Sequence, residues 1–338
     1  MPSSATVPPK GVWVPVPTFF KSSTESDVQA DLDIPAQQQH ALFLAKSGIT
    51  GLVLLGSTGE AIHLSRSERI SVISSVRSHL DANGYPNYPI MAGVLTSGGM
   101  EDTMQWITDL AGAGAQWALV LVPGYFGAAS SQADLLKWYK VVASQSEIPI
   151  LVYNYPGVTN GVMVMPETYT DLAQDRNIVG CKMSHGNVSH HVQVSLDPKI
   201  DHDQFRVFSG FGQQLGPIVA FNAAGVIDGM AAFYPRTVVQ LFDLVTQFQQ
   251  GRFDEHQKAE VWRLQFIVSR AEEFVVRHGL VGIKEAVWRV TGIGSQGSGR
   301  LPITGSMSDE EWEKAKGLFL SGIIDEEAML SGSNHERP

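Results

Sequence analysis

Short apolar runs alternate with longer amphipathic runs along residues 11–249. Runs such as 51–55 have the length and composition of buried strands, and runs such as 34–47 carry apolar residues at helical spacing. Eight such strand-then-helix units in roughly 240 residues, without a long linker, predict an α/β fold of the (β/α)8 TIM barrel type. A doubly wound sheet is the alternative, but it usually carries a G-x-G-x-x-G turn after its first strand. Residues 18–21 (TFFK) contain no glycine, so the barrel is favoured.

The pattern changes after residue 250. Residues 251–325 show helical periodicity without further strands, with predicted helices over 255–278, 281–290 and 309–320. We therefore predict a catalytic barrel domain over 11–250 and a C-terminal helical segment over 251–325 that packs on the barrel.

One predicted strand, residues 178–183 (IVGCKM), carries a lysine near its end. An apolar run bounded by polar residues is typical of a parallel strand with both faces covered. Alternation along the strand places Cys181 and Lys182 on opposite faces. Burial of Lys182 favours loss of its proton, and a neutral amine is a carbonyl nucleophile that forms Schiff bases. Cys181 is predicted to be a packed apolar residue.

Catalytic groups of (β/α)8 barrels lie at the C-terminal ends of the strands. The predicted ends of strands five and six are neighbours, about 4.8 Å apart, so Tyr153 can face Lys182 across the mouth. The residues at the predicted strand ends together supply an amine, two phenols and several hydroxyl groups. Such groups suit imine formation with proton shuttling better than metal-assisted chemistry. These residues are Thr18, Ser57, Thr58, Tyr125, Tyr153, Lys182, Ser209 and Gly210.

The segment 56–60 (GSTGE) follows the second predicted strand and precedes a helix. Backbone N–H groups in such a position can bind an anion, and without the Gly-Lys-Ser/Thr of a P-loop a carboxylate fits as well as a phosphate. A plain tight turn is the alternative. Ser65 followed by Glu68 predicts a capping box for a helix that reaches about residue 80.

Three motifs in chain order now point to a known family. They are GSTGE at 56–60, YNYP at 153–156 and IVGCK at 178–182, on predicted strands two, five and six. Together they resemble the dihydrodipicolinate synthase/N-acetylneuraminate lyase superfamily of class I aldolases, and the similarity runs from about residue 11 to residue 320.

The resemblance implies a pyruvate-type 2-oxo acid bound as an imine on Lys182, without a separate cofactor. Tyr153 would be the proton shuttle near the imine. The hydroxyl and backbone N–H groups of Ser57 and Thr58 would hold the substrate carboxylate.

The resemblance also implies a contribution from a second subunit. Tyr125 matches a tyrosine that in many members reaches into the neighbouring site and joins Thr58 and Tyr153 in a hydroxyl relay. Gly210 and Ile227 match positions that line the pyruvate pocket. Such relays imply a tight homodimer, commonly paired into a homotetramer.

The chain departs from the synthase pattern at Val158. Dihydrodipicolinate synthases usually have an arginine there, which binds the carboxylate of aspartate semialdehyde, and an aliphatic side chain cannot make that contact. The stretch 122–126 (VPGYF) keeps only one of the paired tyrosines usual in synthases. It resembles the 4-hydroxy-2-oxoglutarate and 2-keto-3-deoxy sugar-acid aldolase branches. We therefore predict a carbon–carbon lyase that cleaves a 4-hydroxy-2-oxo acid to pyruvate and an aldehyde, with dihydrodipicolinate synthesis as the alternative.

Two further classes of protein fit the sequence less well. A metal-dependent barrel aldolase requires clustered His, Asp or Glu at strand ends, and the predicted ends do not supply them, so no metal site is predicted. His190 and His191 are adjacent and point about 100° apart on a helix, which prevents them from sharing a metal ion. A non-catalytic 2-oxo-acid-binding protein is disfavoured because the lysine, tyrosines and hydroxyl loop occur together.

A second lysine motif, IKEA at 283–286, mimics the catalytic one. Its apolar residues follow helical spacing, so Lys284 is predicted to lie beside an apolar stripe and to reach solvent, and it is rejected as the nucleophile.

Composition limits the partners and the compartment. The formal net charge of −10 argues against general binding to nucleic acid or anionic membrane. The single cysteine, Cys181, excludes an internal disulfide and suits a reducing compartment. No run approaches the roughly 20 apolar residues of a membrane span, and residues 1–10 lack the apolar core of a secretory signal. A small-molecule 2-oxo acid is the predicted partner and the cytoplasm the predicted location.

Overall fold

Parallel strands form a closed barrel at the centre of the computed structural model. The structure describes residues 5–22, 29–95, 98–252, 254–297 and 299–332. Within these ranges the eight strands follow chain order around the barrel, and β1 pairs with β8 to close it. The strands are β1 (Gly11–Pro15), β2 (Gly51–Leu54), β3 (Ile90–Val94), β4 (Trp117–Leu121), β5 (Ile150–Asn154), β6 (Ile178–Met183), β7 (Arg206–Ser209) and β8 (Gly225–Ile227).

Helices follow the strands and cover the outside of the barrel. Those of the barrel are α1 (Ile34–Lys46), α2 (Arg66–Ala82), α3 (Met100–Gly112), α4 (Gln132–Gln145), α5 (Pro166–Leu172), α6 (Val188–Ser195), α7 (Leu215–Val219) and α8 (Pro235–Gln249). The predicted capping box at the start of α2 is confirmed: Ser65 Oγ accepts from the backbone N–H of Glu68, whose carboxylate accepts from Ser65 N–H. The predicted (β/α)8 barrel is therefore confirmed.

The strands are almost completely buried, because side chains on one face fill the barrel and those on the other contact the helices. Several strands are shorter than the apolar runs that predicted them. The first was predicted over residues 11–20 and ends at Pro15. Pro15 and Pro17 have no N–H to donate to a neighbouring strand, so the ladder stops there.

The segment beyond residue 250 is helical and packs on the barrel. It contains α9 (Glu255–Thr291), α10 (Asp309–Ala315) and α11 (Ser321–Gly332), and a π-helical stretch (Lys316–Leu320) joins the last two. The backbone of α9 is non-helical at Gly279, which agrees with the predicted interruption between residues 278 and 281.

The end of the chain contacts the barrel helices directly. Thr237, in the first turn of α8, donates through its N–H and its Oγ1 to Glu327 of α11, both at 2.9 Å. Helix α11 runs to Gly332, beyond the predicted limit of 325. The boundary between the barrel domain and the helical segment stays a prediction. Over the described ranges, every helix is too short or too polar to cross a membrane.

Candidate active site

Lys182 lies where the strand pattern predicts it, near the C-terminal end of β6 and inside the barrel. It pairs in register with Tyr153 of β5 on one side and with Phe208 of β7 on the other. Its side chain is only 5% exposed, and Nζ lies 4.6 Å from the centre of the Tyr153 ring. Cys181, on the opposite face of β6, is completely buried, as expected for a packed apolar residue.

The protonation of Lys182 is set by burial. Removal of the ammonium from water lowers the pKa of Lys182 from 10.5 to about 7, and the nearby carboxylate of Asp228 opposes part of that decrease. About half of the amines are therefore neutral near pH 7, in the form that attacks a carbonyl carbon.

Tyr153 connects the amine to a set of hydroxyl groups. Its hydroxyl lies 3.2 Å from Ser57 Oγ and is also hydrogen-bonded to Ser184. Burial raises the pKa of Tyr153 to about 12, so the phenol stays protonated and can take up a proton only as its own proton leaves along a hydrogen bond. Ser184, two residues after Lys182, was missed by the sequence analysis. Its position directly after β6 could have indicated that it lies at the mouth of the barrel.

The loop after β2 brings Ser57 and Thr58 to the mouth of the barrel, where both are half-buried. The backbone is left-handed at Leu55 and at Glu60, and these two residues bracket the loop. Thr18, at the end of the β1 segment, donates through Oγ1 to the carbonyl of Gly59 at 2.6 Å. The loop is thus held from β1, and its Ser57 hydroxyl lies against that of Tyr153.

The two predicted lining positions also lie at the mouth. Ile227 is the last residue of β8 and is completely buried. Gly210 follows β7 and approaches both Ser184 and Lys182: a Cβ at this position would lie 2.0 Å from Ser184 Oγ and 3.1 Å from Lys182 Cε. Only glycine leaves room for these side chains as they stand.

Tyr125 is not enclosed with the other site residues in the single chain. Its side chain is 76% exposed and packs edge-to-face on Phe126, which is 77% exposed. The pair lies in the loop after β4, on the same side of the barrel as Lys182. Val158 lies in the loop after β5, half-exposed and apolar, where an arginine was expected for a synthase.

The prediction that Lys284 reaches solvent is wrong. Lys284 forms a short ion pair with Glu60, whose side chain is completely buried, and lies over the ring of Phe20 at 4.5 Å. Helix α9 carries Lys284 against the loop after β2, so the apolar stripe beside it faces the protein. Sequence spacing gave no indication of this contact, because the two residues are 224 positions apart.

Two buried carboxyl groups near the mouth were also missed. Asp228 directly follows β8 and Glu272 belongs to α9, and they are hydrogen-bonded to one another. The available signal was an acidic residue within the apolar run 224–233. In the described part of the chain, no group of three or more His, Cys, Asp or Glu residues is arranged to hold a metal ion.

Comparison with known proteins places this geometry in a family. Residues 16–319 match the Dihydrodipicolinate synthetase family. An L-threo-3-deoxy-hexylosonate aldolase of Hypocrea jecorina is 35% identical over 85% of this chain and 88% of that protein. A protein of Emericella nidulans named "Probable 4-hydroxy-2-oxoglutarate aldolase, mitochondrial" is 33% identical over 89% of this chain and 91% of that protein.

Synthases of the same family are similar too. A 4-hydroxy-tetrahydrodipicolinate synthase of Methanothrix thermoacetophila is 30% identical over 92% of this chain and 96% of that protein. The crystal structure of a dihydrodipicolinate synthase family protein from Coccidioides immitis superposes with a TM-score of 0.79 at 26% identity, covering 96% of this chain and 98% of the other. The predicted family, its aldolase branches and the predicted carbon–carbon lyase class are confirmed by these relatives. The chain belongs to the Dihydrodipicolinate synthetase family.

Proposed function

We propose that the protein is a class I aldolase that cleaves a 4-hydroxy-2-oxo acid, either 4-hydroxy-2-oxoglutarate or a 2-keto-3-deoxy sugar acid, to pyruvate and an aldehyde. The observation that carries this proposal is a buried lysine with a pKa near 7 in register beside a tyrosine hydroxyl. The amine supplies the nucleophile and the tyrosine supplies the proton transfer that C–C cleavage needs.

The reaction begins with attack of the neutral Lys182 amine on the C2 ketone. Loss of water, with uptake of one proton from solvent through the hydroxyl groups at the mouth, gives a protonated imine, which acts as an electron sink. When the C3–C4 bond breaks, its electrons move to the imine and form a neutral enamine. Tyr153 accepts the C4 hydroxyl proton while its own proton moves towards Ser57, and the aldehyde leaves. Return of that proton to C3 gives the protonated imine of pyruvate, and addition of water then releases pyruvate, the free amine and the proton that was taken up when the imine formed. General acid–base catalysis of this kind contributes typically ~10²–10⁴-fold.

The hydroxyl loop provides a place for the substrate carboxylate. Ser57 and Thr58 are half-buried residues at the mouth, and backbone N–H groups of such loops bind anions. Gly210 and Ile227 would line the opposite side of the pocket around the imine. No additional cofactor enters this chemistry, because the imine itself accepts the electrons.

The preference for aldol cleavage over dihydrodipicolinate synthesis is supported at Val158. This side chain is apolar and half-exposed, so it offers no cation to the carboxylate of aspartate semialdehyde. The names of the Hypocrea and Emericella relatives, which share more identity with this chain than the Methanothrix synthase does, support the same preference.

A steady-state assay tests the substrate class. Pyruvate release would be followed with 4-hydroxy-2-oxoglutarate and with 2-keto-3-deoxy hexonates, and condensation would be followed with pyruvate and aspartate semialdehyde. We expect turnover with at least one of the first two substrates and little product with the last pair. The Lys182→Ala variant should abolish turnover. Condensation as fast as cleavage would contradict the aldolase assignment, and tight pyruvate binding without any turnover would indicate a non-catalytic binding protein.

The assembly and location are proposed from the family. Tyr125 and Phe126 are highly exposed beside the mouth, which suits burial against a second subunit, so we propose a homodimer or homotetramer in which Tyr125 completes the neighbouring site. Size-exclusion chromatography with light scattering tests this assembly, and a monomer with full activity would contradict it. The cytoplasmic location stays a prediction, because the Emericella relative is named as mitochondrial.

A further inference from the structure

The loop after β2 has a conformation that its own residues do not favour. The backbone is left-handed at Leu55 (φ 59°) and at Glu60 (φ 51°), a region that residues other than Gly, Asn and Asp rarely adopt. A Cβ at Gly59 would lie 2.9 Å from the backbone nitrogen of Leu55, so the two ends of the loop are close together. Such a conformation persists only where the surrounding structure fixes it.

The Glu60 side chain anchors one end of this loop. It has no exposed surface; Oε1 accepts from the Lys284 ammonium of α9, and Oε2 accepts from His63 Nδ1 at 3.3 Å. The backbone N–H of Glu60 donates to the carbonyl of Ser57 at 3.1 Å. The ion pair therefore connects α9 to the turn that carries Ser57 and Thr58.

Lys284 is placed by the packing of α9 and by an aromatic ring. Its side chain is 10% exposed, and Nζ lies 4.5 Å from the centre of the Phe20 ring, close enough for a cation–π contact. The helix around it is fixed against the protein by three buried side chains, those of Ile283, Ala286 and Val287. The ammonium is thus held at a defined position when Glu60 binds it.

The pair also sets the charge next to the proposed carboxylate site. Glu60 is two residues beyond Thr58, and an uncompensated negative charge there would repel a substrate carboxylate. The Lys284 ammonium cancels that charge. Arg300 lies over the same Phe20 ring at 4.6 Å, but it is paired with Glu68.

A displacement of this loop would reach the groups that act on the substrate. Ser57 Oγ lies 3.2 Å from the hydroxyl of Tyr153, so a shift of the turn changes that contact. Thr18 Oγ1 holds the carbonyl of Gly59 at 2.6 Å, and Lys284 holds the next residue. The loop is therefore fixed at two successive positions, one from the β1 segment and one from α9.

We propose, on the basis of the pyruvate binding proposed above, that Lys284 is a positioning residue. Through Glu60 it holds the loop after β2 in the conformation that binds the carboxylate of the 2-oxo acid, and it keeps the surroundings of that carboxylate free of a repelling charge. Helix α9 thereby contributes to the selection of 2-oxo acids over neutral ketones without contacting the substrate.

Hydrogen exchange measures the loop directly. Amide exchange of a peptide that spans residues 55–64 would be followed by mass spectrometry in the parent and in variants of Lys284. We expect faster exchange of this peptide in Lys284→Met, because the carboxylate of Glu60 loses its cation. Lys284→Arg keeps the cation and should retain exchange close to that of the parent.

Imine trapping measures the consequence for the substrate. Reduction with cyanoborohydride would be followed with pyruvate and with hydroxyacetone, a ketone that has no carboxylate. In Lys284→Met, the pyruvate concentration for half-maximal trapping should rise by at least about tenfold. The rate of trapping with hydroxyacetone should stay near that of the parent, because the Lys182 amine is unchanged. Lys284→Arg should resemble the parent with both ketones.

Arg289→Met is the matched control. Arg289 lies further along α9 and pairs with Glu285 at 2.8 Å, and the exposed fractions of these two side chains, 13% and 1%, are close to the 10% and 0% of Lys284 and Glu60. This variant should lose stability but keep the parent's exchange at 55–64 and its pyruvate requirement. If Lys284→Met does not fold, Lys284→Gln, which keeps an N–H donor for Glu60, should change both quantities in the same direction by a smaller factor.

The outcomes separate this inference from the proposed function. Parent-like exchange at 55–64, or an unchanged pyruvate requirement, in a folded Lys284→Met protein would overturn the positioning role even if the enzyme is an aldolase. An equal change in Arg289→Met, or an equal loss of trapping with hydroxyacetone, would overturn it as well, since either indicates general destabilisation. If the parent itself traps no pyruvate, the proposed function fails, whereas hydrogen exchange still reports whether Lys284 holds the loop.

Discussion

Burial of Lys182 should cost the folded protein stability, and Lys182→Met should recover it. Methionine has a similar length and volume but no charge, so it fills the same space without the desolvation of an ammonium. The variant should therefore be inactive and more stable than the parent at neutral pH. Loss of activity together with a gain in stability is expected when a residue that catalysis needs destabilises the folded protein.

The size of the effect follows from the pKa of Lys182, about 7 in the folded chain against an ordinary value of 10.5. Between these values the unfolded chain binds a proton that the folded chain does not, so the parent gains stability as the pH rises through this window. Below pH 7 the amine is protonated in both states, and the pKa difference of about 3.5 units means that its burial destabilises the folded parent by about 5 kcal/mol. At pH 9 only about 1.5 units of this difference still count, so the destabilisation is about 2 kcal/mol. The advantage of Lys182→Met should thus be about 4 kcal/mol at pH 7 and fall to about half of that at pH 9.

Denaturant unfolding at pH 7 and pH 9 measures this difference, and Lys284→Met is the matched control. The Lys284 side chain is 10% exposed, and its ammonium is paired with Glu60, which has no exposed side-chain surface. Removal of one partner of a buried ion pair leaves the other charge uncompensated and typically costs about 3–5 kcal/mol. The same substitution should therefore have opposite signs at the two lysines. A Lys182→Met protein that is less stable than the parent at pH 7, or whose advantage does not shrink as the pH rises, would refute the reasoning.

Three further predictions concern catalysis. The rate of cleavage should fall below pH 7, because the Lys182 amine becomes protonated, and kcat/KM should be about fivefold lower at pH 6 than at pH 7. A flat pH profile of kcat/KM from pH 5 to 8 would contradict this prediction. Tyr153→Phe keeps the ring beside Lys182 but removes the hydroxyl bonded to Ser57. We expect kcat to fall by about 10²–10³-fold, while pyruvate is still trapped as an imine. An unchanged kcat would exclude Tyr153 as the proton shuttle. Gly210→Ala places a methyl group 2.0 Å from Ser184 Oγ and 3.1 Å from Lys182 Cε. We therefore expect kcat/KM to fall by at least about tenfold. Parent-like kinetics would show that Ser184 can move away freely.

The sequence predicts the fold and the position of Lys182 well because both depend on local patterns. The change between period 2 and period 3.6 recurs in each unit, and the closure of eight such units into a barrel follows from their number. Once strands five and six are adjacent, the pairing of Tyr153 with Lys182 follows from equal distance to the strand ends, as observed.

Contacts made by the C-terminal helices could not be predicted from local patterns. Lys284 and Glu60 are 224 positions apart, and the apolar stripe of α9 indicates that one face is buried without indicating which part of the barrel it covers. The Asp228–Glu272 pair has the same origin. An acidic residue in the apolar run after residue 224 was a visible exception, but its partner is known only once α9 is placed. The contacts of the Tyr125 side chain could not be predicted for a different reason, because its proposed partners lie in a second subunit.

Imine trapping on Lys182 tests the proposed chemistry at its first step. The parent would be incubated with pyruvate and sodium borohydride, and the intact mass and the modified peptide would be determined. We predict one reduced pyruvate adduct per chain, located on Lys182 and absent from Lys182→Ala. Absence of an adduct on the active enzyme, or an adduct on Lys284, would contradict it.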